Sequence, residues 1–251
     1  MNEVIAVINQ KGGVGKSTTT LALGAGLRLR NFKVLYVDLD AQGNLSYTLK
    51  ADSTGVTVID LLTGQSNITQ AIQHTDQGDV IASGPALAGA DAVITTTGKE
   101  YRLKEALESV LEKYDYIIVD TPPALGVLTI NALTACTSVI IPAQADIYSL
   151  QGISQLYTTI DTVRKYCNPS LVVKGILLTR YSPRAILSRD IAEIIAQTAQ
   201  SLNTKLFKST IRESISVKEA QASQQDIYSY APKGNATLDY TAFVDEVLER
   251  S

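Results

Sequence analysis

Short, nearly continuous apolar runs recur along the chain at residues 4–8, 33–40, 116–119, 138–142 and 171–178. Runs of this length, bounded by polar or glycine-rich turns, read as strands covered on both faces. The stretches between them carry helical spacing instead. Residues 19–27, 128–135 and 149–166 are such stretches, the last with Leu150, Ile153, Leu156, Tyr157, Ile160 and Val163 on one stripe that suits core packing or, as the alternative, dimer packing. Residues 99–113 place Leu103, Leu107, Val110 and Leu111 on one face and predict a single amphipathic helix. A helix over 184–202 is expected to turn Ile186, Ile191, Ile194, Ile195 and Leu202 inward. A final helix over 237–250 carries Leu238, Thr241, Val244 and Leu248 as its stripe, with Tyr240, Phe243 and Val247 beside it. The region 46–98 is less patterned: short helices over 57–62 and 68–72, a strand over 79–82 and a helical turn over 86–92. Residues 206–207 predict a short strand, 216–220 the start of a helix and 228–234 a Pro/Gly loop. Strands alternating with helices, without repeats or a long linker, predict an α/β fold: one doubly wound, mostly parallel sheet flanked by helices, in a single domain over 1–251.

Composition narrows the chemistry. At 251 residues with 45% hydrophobic positions, the chain can bury a large core. No apolar run reaches the roughly 18 residues of a membrane span, and the first strand begins almost at once, so a cytoplasmic protein without a signal peptide is expected. Cys136 and Cys167 lack metal-ligand spacing and read as small buried residues. One histidine, His74, in a polar segment leaves no basis for histidine acid–base chemistry. The net charge of −3 is uneven: from Arg164 to Lys218, ten Lys/Arg face three acids, leaving the rest of the chain at −10. A basic sector on an acidic protein can hold a polyanion, although unrelated solvated charges give the same count.

The candidate chemistry lies where strands end. Residues 9–18, Asn-Gln-Lys-Gly-Gly-Val-Gly-Lys-Ser-Thr, follow the first strand and open the first helix. Strand, glycine-rich loop, Lys-Ser and helix form a phosphate-binding loop, in which backbone N–H groups and the helix N-terminus face a triphosphate. Gly12, Gly13, Val14, Gly15, Lys16, Ser17 and Thr18 are its candidate contacts, with Lys16 reaching the β/γ-phosphates and Ser17 ligating Mg²⁺. The general pattern wants glycine at position 10, where this chain has Gln10, and Lys11 adds a second lysine. The second strand ends in Asp38-Leu39-Asp40 ahead of Ala41-Gln42-Gly43-Asn44, and the strand over 116–120 ends in Asp120-Thr121-Pro122-Pro123, a Walker B element. Carboxylates at these ends sit at the ligand crevice of an open α/β sheet.

The loop with Lys11, the V-D-x-D-x-Q-G-N stretch and D-T-P-P resemble the ParA/MinD superfamily of deviant Walker A P-loop ATPases, in the ParA-type, Soj-like branch. The resemblance runs the length of the chain and matches members without an N-terminal helix-turn-helix domain. It implies ATP and Mg²⁺ as cofactors, with Asp38 and Asp120 supporting the metal and Asp40 orienting the attacking water. It implies a homodimer closed over two nucleotides, with Lys11 acting on the partner's phosphates. Thr179, at a strand end, and Arg212, where many members carry Pro-Arg-Asn in place of Arg212-Glu213-Ser214, would lie near adenine. It further implies plasmid or chromosomal DNA partition, non-specific DNA binding on the nucleoid and stimulation by a ParB-like partner. Arg184, Arg189, Lys205, Lys208 and Lys218 are the DNA candidates, chosen by charge. A MinD-like ATPase on a membrane is the alternative, but residues 235–251 are acidic, which disfavours a membrane-binding tail. An iron–sulfur reductase or carrier would need cysteines that the chain lacks. A small-molecule kinase or synthetase with the same loop predicts no DNA affinity.

Overall fold

A computed structural model describes residues 2–249. Eight strands, β1 (Glu3–Val7), β2 (Val34–Asp38), β3 (Ile72–Thr75), β4 (Gly78–Ile81), β5 (Tyr116–Asp120), β6 (Ser138–Ala143), β7 (Val172–Thr179) and β8 (Leu206–Ile211), form one sheet in the order β3-β4-β2-β5-β1-β6-β7-β8. All neighbours run parallel except the β3–β4 hairpin at one edge. The helices are α1 (Lys16–Arg28), α2 (Asn44–Thr48), α3 (Val58–Leu62), α4 (Ile68–Ala71), α5 (Ala90–Val93), α6 (Arg102–Glu108), α7 (Val127–Ala135), α8 (Ile147–Tyr166), α9 (Ile186–Ser201), α10 (Ile215–Ala222), α11 (Ile227–Tyr230) and α12 (Asn235–Leu248).

Alternation along each strand feeds two cores. Val4, Ala6, Ile8, Leu35, Val37 and Leu39 face one side, against α3 and α6–α9; Ile5, Val7, Val34 and Tyr36 face the other, against α1 and α12. Burial on both sides explains why the parallel strands read as unbroken apolar runs. The same layering demands close approach at Gly24 on α1, where a Cβ would overlap the Tyr36 ring. The connection that leaves β1 runs through α1 on one face of the sheet, whereas the connection that leaves its neighbour β5 runs through α7 on the other. The C-terminal ends of β1, β2 and β5 therefore border a topological switch point.

Several expectations need correction. Residues 99–113 do not form one helix: α6 ends at Glu108, and two 3-10 turns flank it (Lys99–Tyr101 and Leu111–Lys113). Residue 72 opens β3 instead of closing a helix. Residues 227–230 form α11 where a loop was expected, and β8 runs six residues instead of two. On α9, Ile191 and Ile195 are buried as predicted, but Ile186 and Ile194 lie exposed. On α12, Tyr240, Phe243, Val244 and Val247 face the core while Leu238 is exposed, so the aromatic face won over the predicted stripe. Arg250, the predicted end of that helix, lies outside the described residues. The α8 stripe is core, with Ile153, Leu156, Tyr157, Ile160 and Val163 all buried.

Candidate active site

The loop between β1 and α1 takes the form its glycines allow. Gly13 and Gly15 have φ of 75° and 87°, a region costly for other residues, and Gly15 caps α1. The turn leads into the N-terminus of α1, which carries the positive end of the helix dipole. Gly12, Gly13, Gly15, Lys16, Ser17 and Thr18 line a cavity of about 510 Å³ together with Asp40, Gln42, Asn44, Tyr47, Thr48 and Pro123. Lys16 is buried, and its Nζ donates to the Lys11 carbonyl at 3.2 Å. Burial lowers its pKa, while Asp120 and Asp40 oppose that shift.

The three strand-end carboxylates meet beneath this cavity. Asp38 and Asp120 face each other across β2 and β5 in direct register and are fully buried. Asp38 accepts from the Ser46 N–H at 2.9 Å, the Ser46 hydroxyl at 2.7 Å and the Asp40 N–H at 3.1 Å. Burial pushes its carboxyl up to about 6 against these hydrogen bonds. Asp120 is raised well above the usual carboxylate range by burial and by the Asp38 charge, opposed by a hydrogen bond from Ser17 and by Lys16. Its Oδ2 is buried without a hydrogen-bond partner. A divalent cation beside Ser17 would supply that partner, and two oxygen ligands plus phosphates and water suit Mg²⁺. Among the described residues no three His, Cys, Asp or Glu side chains are grouped to hold a metal by themselves, so the nucleotide would complete such a site. Asp40 lines the cavity wall, its carboxylate accepting from the Gln42 N–H at 3.0 Å.

Lys11 takes a different course from Lys16. Its Nζ lies 2.5 Å from Asp146, whose other oxygen caps α8 by accepting from the Ser149 N–H at 3.0 Å. Burial pushes the Asp146 carboxyl up, but Lys11 and Ser149 hold it below its usual range. Asn9 braces the same corner: its side chain donates to the Pro142 carbonyl at 2.7 Å and accepts from the Lys11 N–H at 2.9 Å. In the single chain Lys11 is thus held in cis, on Asp146.

A second cavity of about 160 Å³ adjoins the first at Gly13, Gly15 and Thr18, and Thr179 and Arg212 line it with Arg180, Glu213, Lys218, Gln221 and Tyr240. The expected base contacts are engaged elsewhere. The Thr179 hydroxyl donates to the Val14 carbonyl at 2.8 Å, serving the loop's own backbone. The Arg212 guanidinium grips both oxygens of Asp239, at 2.6 to 3.1 Å, and so faces α12. The rim is closed by an Arg180–Glu213 ion pair at 2.5 Å. The five DNA candidates are not gathered in one patch. Arg184 and Arg189 follow the C-terminal end of β7, and Lys218 lies on α10 beyond the C-terminal end of β8. Lys208 is exposed on β8, the edge strand. Lys205, at the opposite end of β8, pairs with Glu246 at 3.5 Å and sits over the Phe207 ring. Sequence reading missed Ser46, Ser83 and Asp146. Ser46 stands beside the quoted Gln-Gly-Asn stretch, but Ser83 and Asp146 join the site only through the fold.

Strand, twin-lysine loop and paired strand-end aspartates define a P-loop ATPase of the deviant Walker A type. Residues 2–173 match the family model of an AAA domain, the AAA_31 type. Sporulation initiation inhibitor protein Soj of Bacillus subtilis (strain 168) is 40% identical over 252 residues, with 98% of each chain covered. Chromosome partitioning protein ParA of Myxococcus xanthus (strain DK1622) is 35% identical, covering 100% of this chain and 89% of its own. Among solved structures, cobyrinic acid a,c-diamide synthase from Mycobacterium smegmatis, with bound ATP analog and magnesium, has a TM-score of 0.82 at 34% identity, covering 99% of this chain and 95% of that one. The chain belongs to the ParA-type, Soj-like branch of the ParA/MinD ATPases.

Proposed function

We propose that this ATPase partitions plasmid or chromosomal DNA as a nucleotide-switched dimer. ATP would occupy the two adjoining cavities, its phosphates against residues 12–18, with Mg²⁺ held at Ser17 and Asp120 and supported by Asp38. Two subunits would close face to face, Lys11 leaving Asp146 for the partner's phosphates. Positioned lysines and the cation stabilise charge on the γ-phosphoryl as it transfers, so no strong base is needed, and Asp40 would orient the water. Hydrolysis would be slow until stimulated by a ParB-like protein on a centromere site. The ATP dimer would hold DNA non-specifically on the nucleoid through Arg184, Arg189, Lys208 and Lys218; the engagement of Lys205 with Glu246 weakens its claim to that role.

The observation that carries this reading is the second loop lysine, which does not line its own chain's phosphate cavity and is parked on an ion pair exposed enough to exchange: about 30% and 32% of the two side chains remain accessible. The test is DNA co-sedimentation with ATP, with ADP and without nucleotide. Wild type is expected to bind only with ATP, with affinity falling steeply as salt rises. Lys11→Ala and the Arg184→Glu/Arg189→Glu variant should both lose binding, the latter while still dimerising with ATP. Binding indifferent to nucleotide would overturn the proposal. A second reading, a small-molecule synthetase, is favoured by the likeness to the M. smegmatis protein and predicts no DNA binding in any state. The membrane reading receives less support, because α12 is docked on the core through Tyr240, Phe243, Val244 and Val247.

A further inference from the structure

The carboxylates at the end of β2 are joined by a hydrogen-bond ring that no sequence motif announced. Asp38 Oδ2 accepts the Ser46 hydroxyl at 2.7 Å. Ser46 Oγ in turn accepts the Ser83 N–H at 2.9 Å, and the Ser83 hydroxyl donates to the Asp40 carbonyl at 2.7 Å. The Asp40 N–H closes the ring on Asp38 Oδ1 at 3.1 Å. The polarity is fixed. Ser46 Oγ receives one proton from Ser83, so its own proton goes to the carboxylate, which has none to give when ionised. All four residues are buried, with Asp40 the most accessible at 8% and both serines at 1% or less. Water therefore cannot replace a missing member cheaply, and hydrogen bonds to a charged group are the strong ones. The ring also ties three segments together: the end of β2, the second residue beyond β4 and α2, whose Asn44, Tyr47 and Thr48 line the phosphate cavity.

We propose that Ser46 and Ser83 are positioning residues for hydrolysis, Ser46 aiming the Asp38 carboxylate and Ser83 fixing the Asp40 peptide. The inference rests on the roles proposed above for Asp38 and Asp40. It predicts a division of labour that loss of folding would not produce. Ser46→Ala removes the hydroxyl from Asp38 and leaves the Ser83 N–H without an acceptor. Ser83→Ala leaves the Asp38 contacts intact and frees only the Asp40 carbonyl.

The experiment uses the full chain and two readouts: binding of a fluorescent ADP as Mg²⁺ is titrated, and kcat and KM for ATP, with melting temperature recorded for each variant. Ser46→Ala is expected to raise the Mg²⁺ needed for half-maximal ADP binding about tenfold, the loss of one hydrogen bond to a charged group. Ser83→Ala is expected to lower kcat about tenfold with KM and the Mg²⁺ titration near wild type. Asp40→Ala is the reference and should lose turnover while still binding nucleotide. If Ser46→Ala titrates with Mg²⁺ like wild type, or Ser83→Ala turns over like wild type, while Asp40→Ala is inactive, the ring inference is overturned and the roles of the aspartates stand. If Asp40→Ala itself turns over normally, the underlying reading fails instead. Should Ser46→Ala not fold, the kcat-only effect of Ser83→Ala still decides the matter.

Discussion

At the scale of single residues, the site keeps a buried carboxyl where folding alone would not. Asp120 is fully buried beside Asp38, with one oxygen unpartnered. Its pKa is raised by burial first and by Asp38 second, so the folded chain binds this proton more tightly than the unfolded chain does. The sign follows: stability falls as pH rises from the ordinary carboxylate value up to the raised one. Asp120→Asn is therefore expected to melt higher than wild type at pH 7–8 without ligands, by about 3 °C for a gain of about 1 kcal/mol. That advantage should vanish by about pH 3, below the carboxylate's unfolded value. With ADP and Mg²⁺ present the order should reverse, because only the aspartate completes a cation site; scanning calorimetry in the two conditions checks both halves. The loop, Asp38, Asp40 and Asp120 were legible in the sequence because each lies in a contiguous motif at a strand end. Ser83 and Asp146 were not, because their partners are 43 and 135 residues away and only the sheet order brings them together.

Among the elements, α12 and β8 show what the linear pattern conceals. Glu246 on α12 reaches the edge strand, where its carboxylate accepts from the Lys208 N–H at 2.9 Å, the Ser209 N–H at 2.9 Å and the Ser209 hydroxyl at 2.8 Å. An edge strand's unpaired N–H groups are thus covered by a helix side chain. Burial pushes the Glu246 carboxyl up, but these donors hold it below its usual value. A depressed acid contributes stability that is present above its unfolded value and is lost as pH falls through its folded one. Glu246→Gln should cost about 1–2 kcal/mol near neutral pH, because the amide cannot accept on both atoms, and the difference should close below about pH 4. Denaturant titrations across that range measure it. The central strands and α8 were readable because burial on both faces, or one wide stripe, leaves a strong periodic signal. β3 was not, since Gln73, His74 and Thr75 sit half-buried or exposed on an edge and carry no apolar run. α6 was overextended because Val110 is buried like a helix residue while its backbone (φ −122°, ψ −3°) has already left the helix. On α12, Leu238 competes with Tyr240 and Phe243 for the core, and larger aromatic area decides the rotation.

For the whole molecule, the question is what must change for two chains to share two nucleotides. In the proposed dimer Lys11 turns from Asp146, its partner in the single chain, to the other subunit's phosphates. Dimer closure in the proposed form therefore breaks that ion pair in each subunit, and its strength counts against association. Because both side chains are partly exposed, the pair stabilises the single chain by about 0.5–1 kcal/mol. Asp146 also caps α8, so alanine would confuse the two roles. Asparagine caps a helix about as well as aspartate and keeps the acceptor for the Ser149 N–H. Asp146→Asn should therefore leave α8 intact while releasing Lys11. The expected result is tighter ATP-dependent dimerisation: two pairs lost per dimer correspond to a dissociation constant lower by roughly five- to thirtyfold. The measurement is sedimentation velocity with ATP on an Asp40→Ala background, which on the role proposed for Asp40 would hold the nucleotide unhydrolysed. Raising the salt should narrow the gap between Asp146→Asn and its parent, since screening weakens the same pair. If Asp146→Asn dimerises no more readily than its parent at low salt, the pair does not restrain Lys11, and the lysine's position in the single chain has no bearing on assembly.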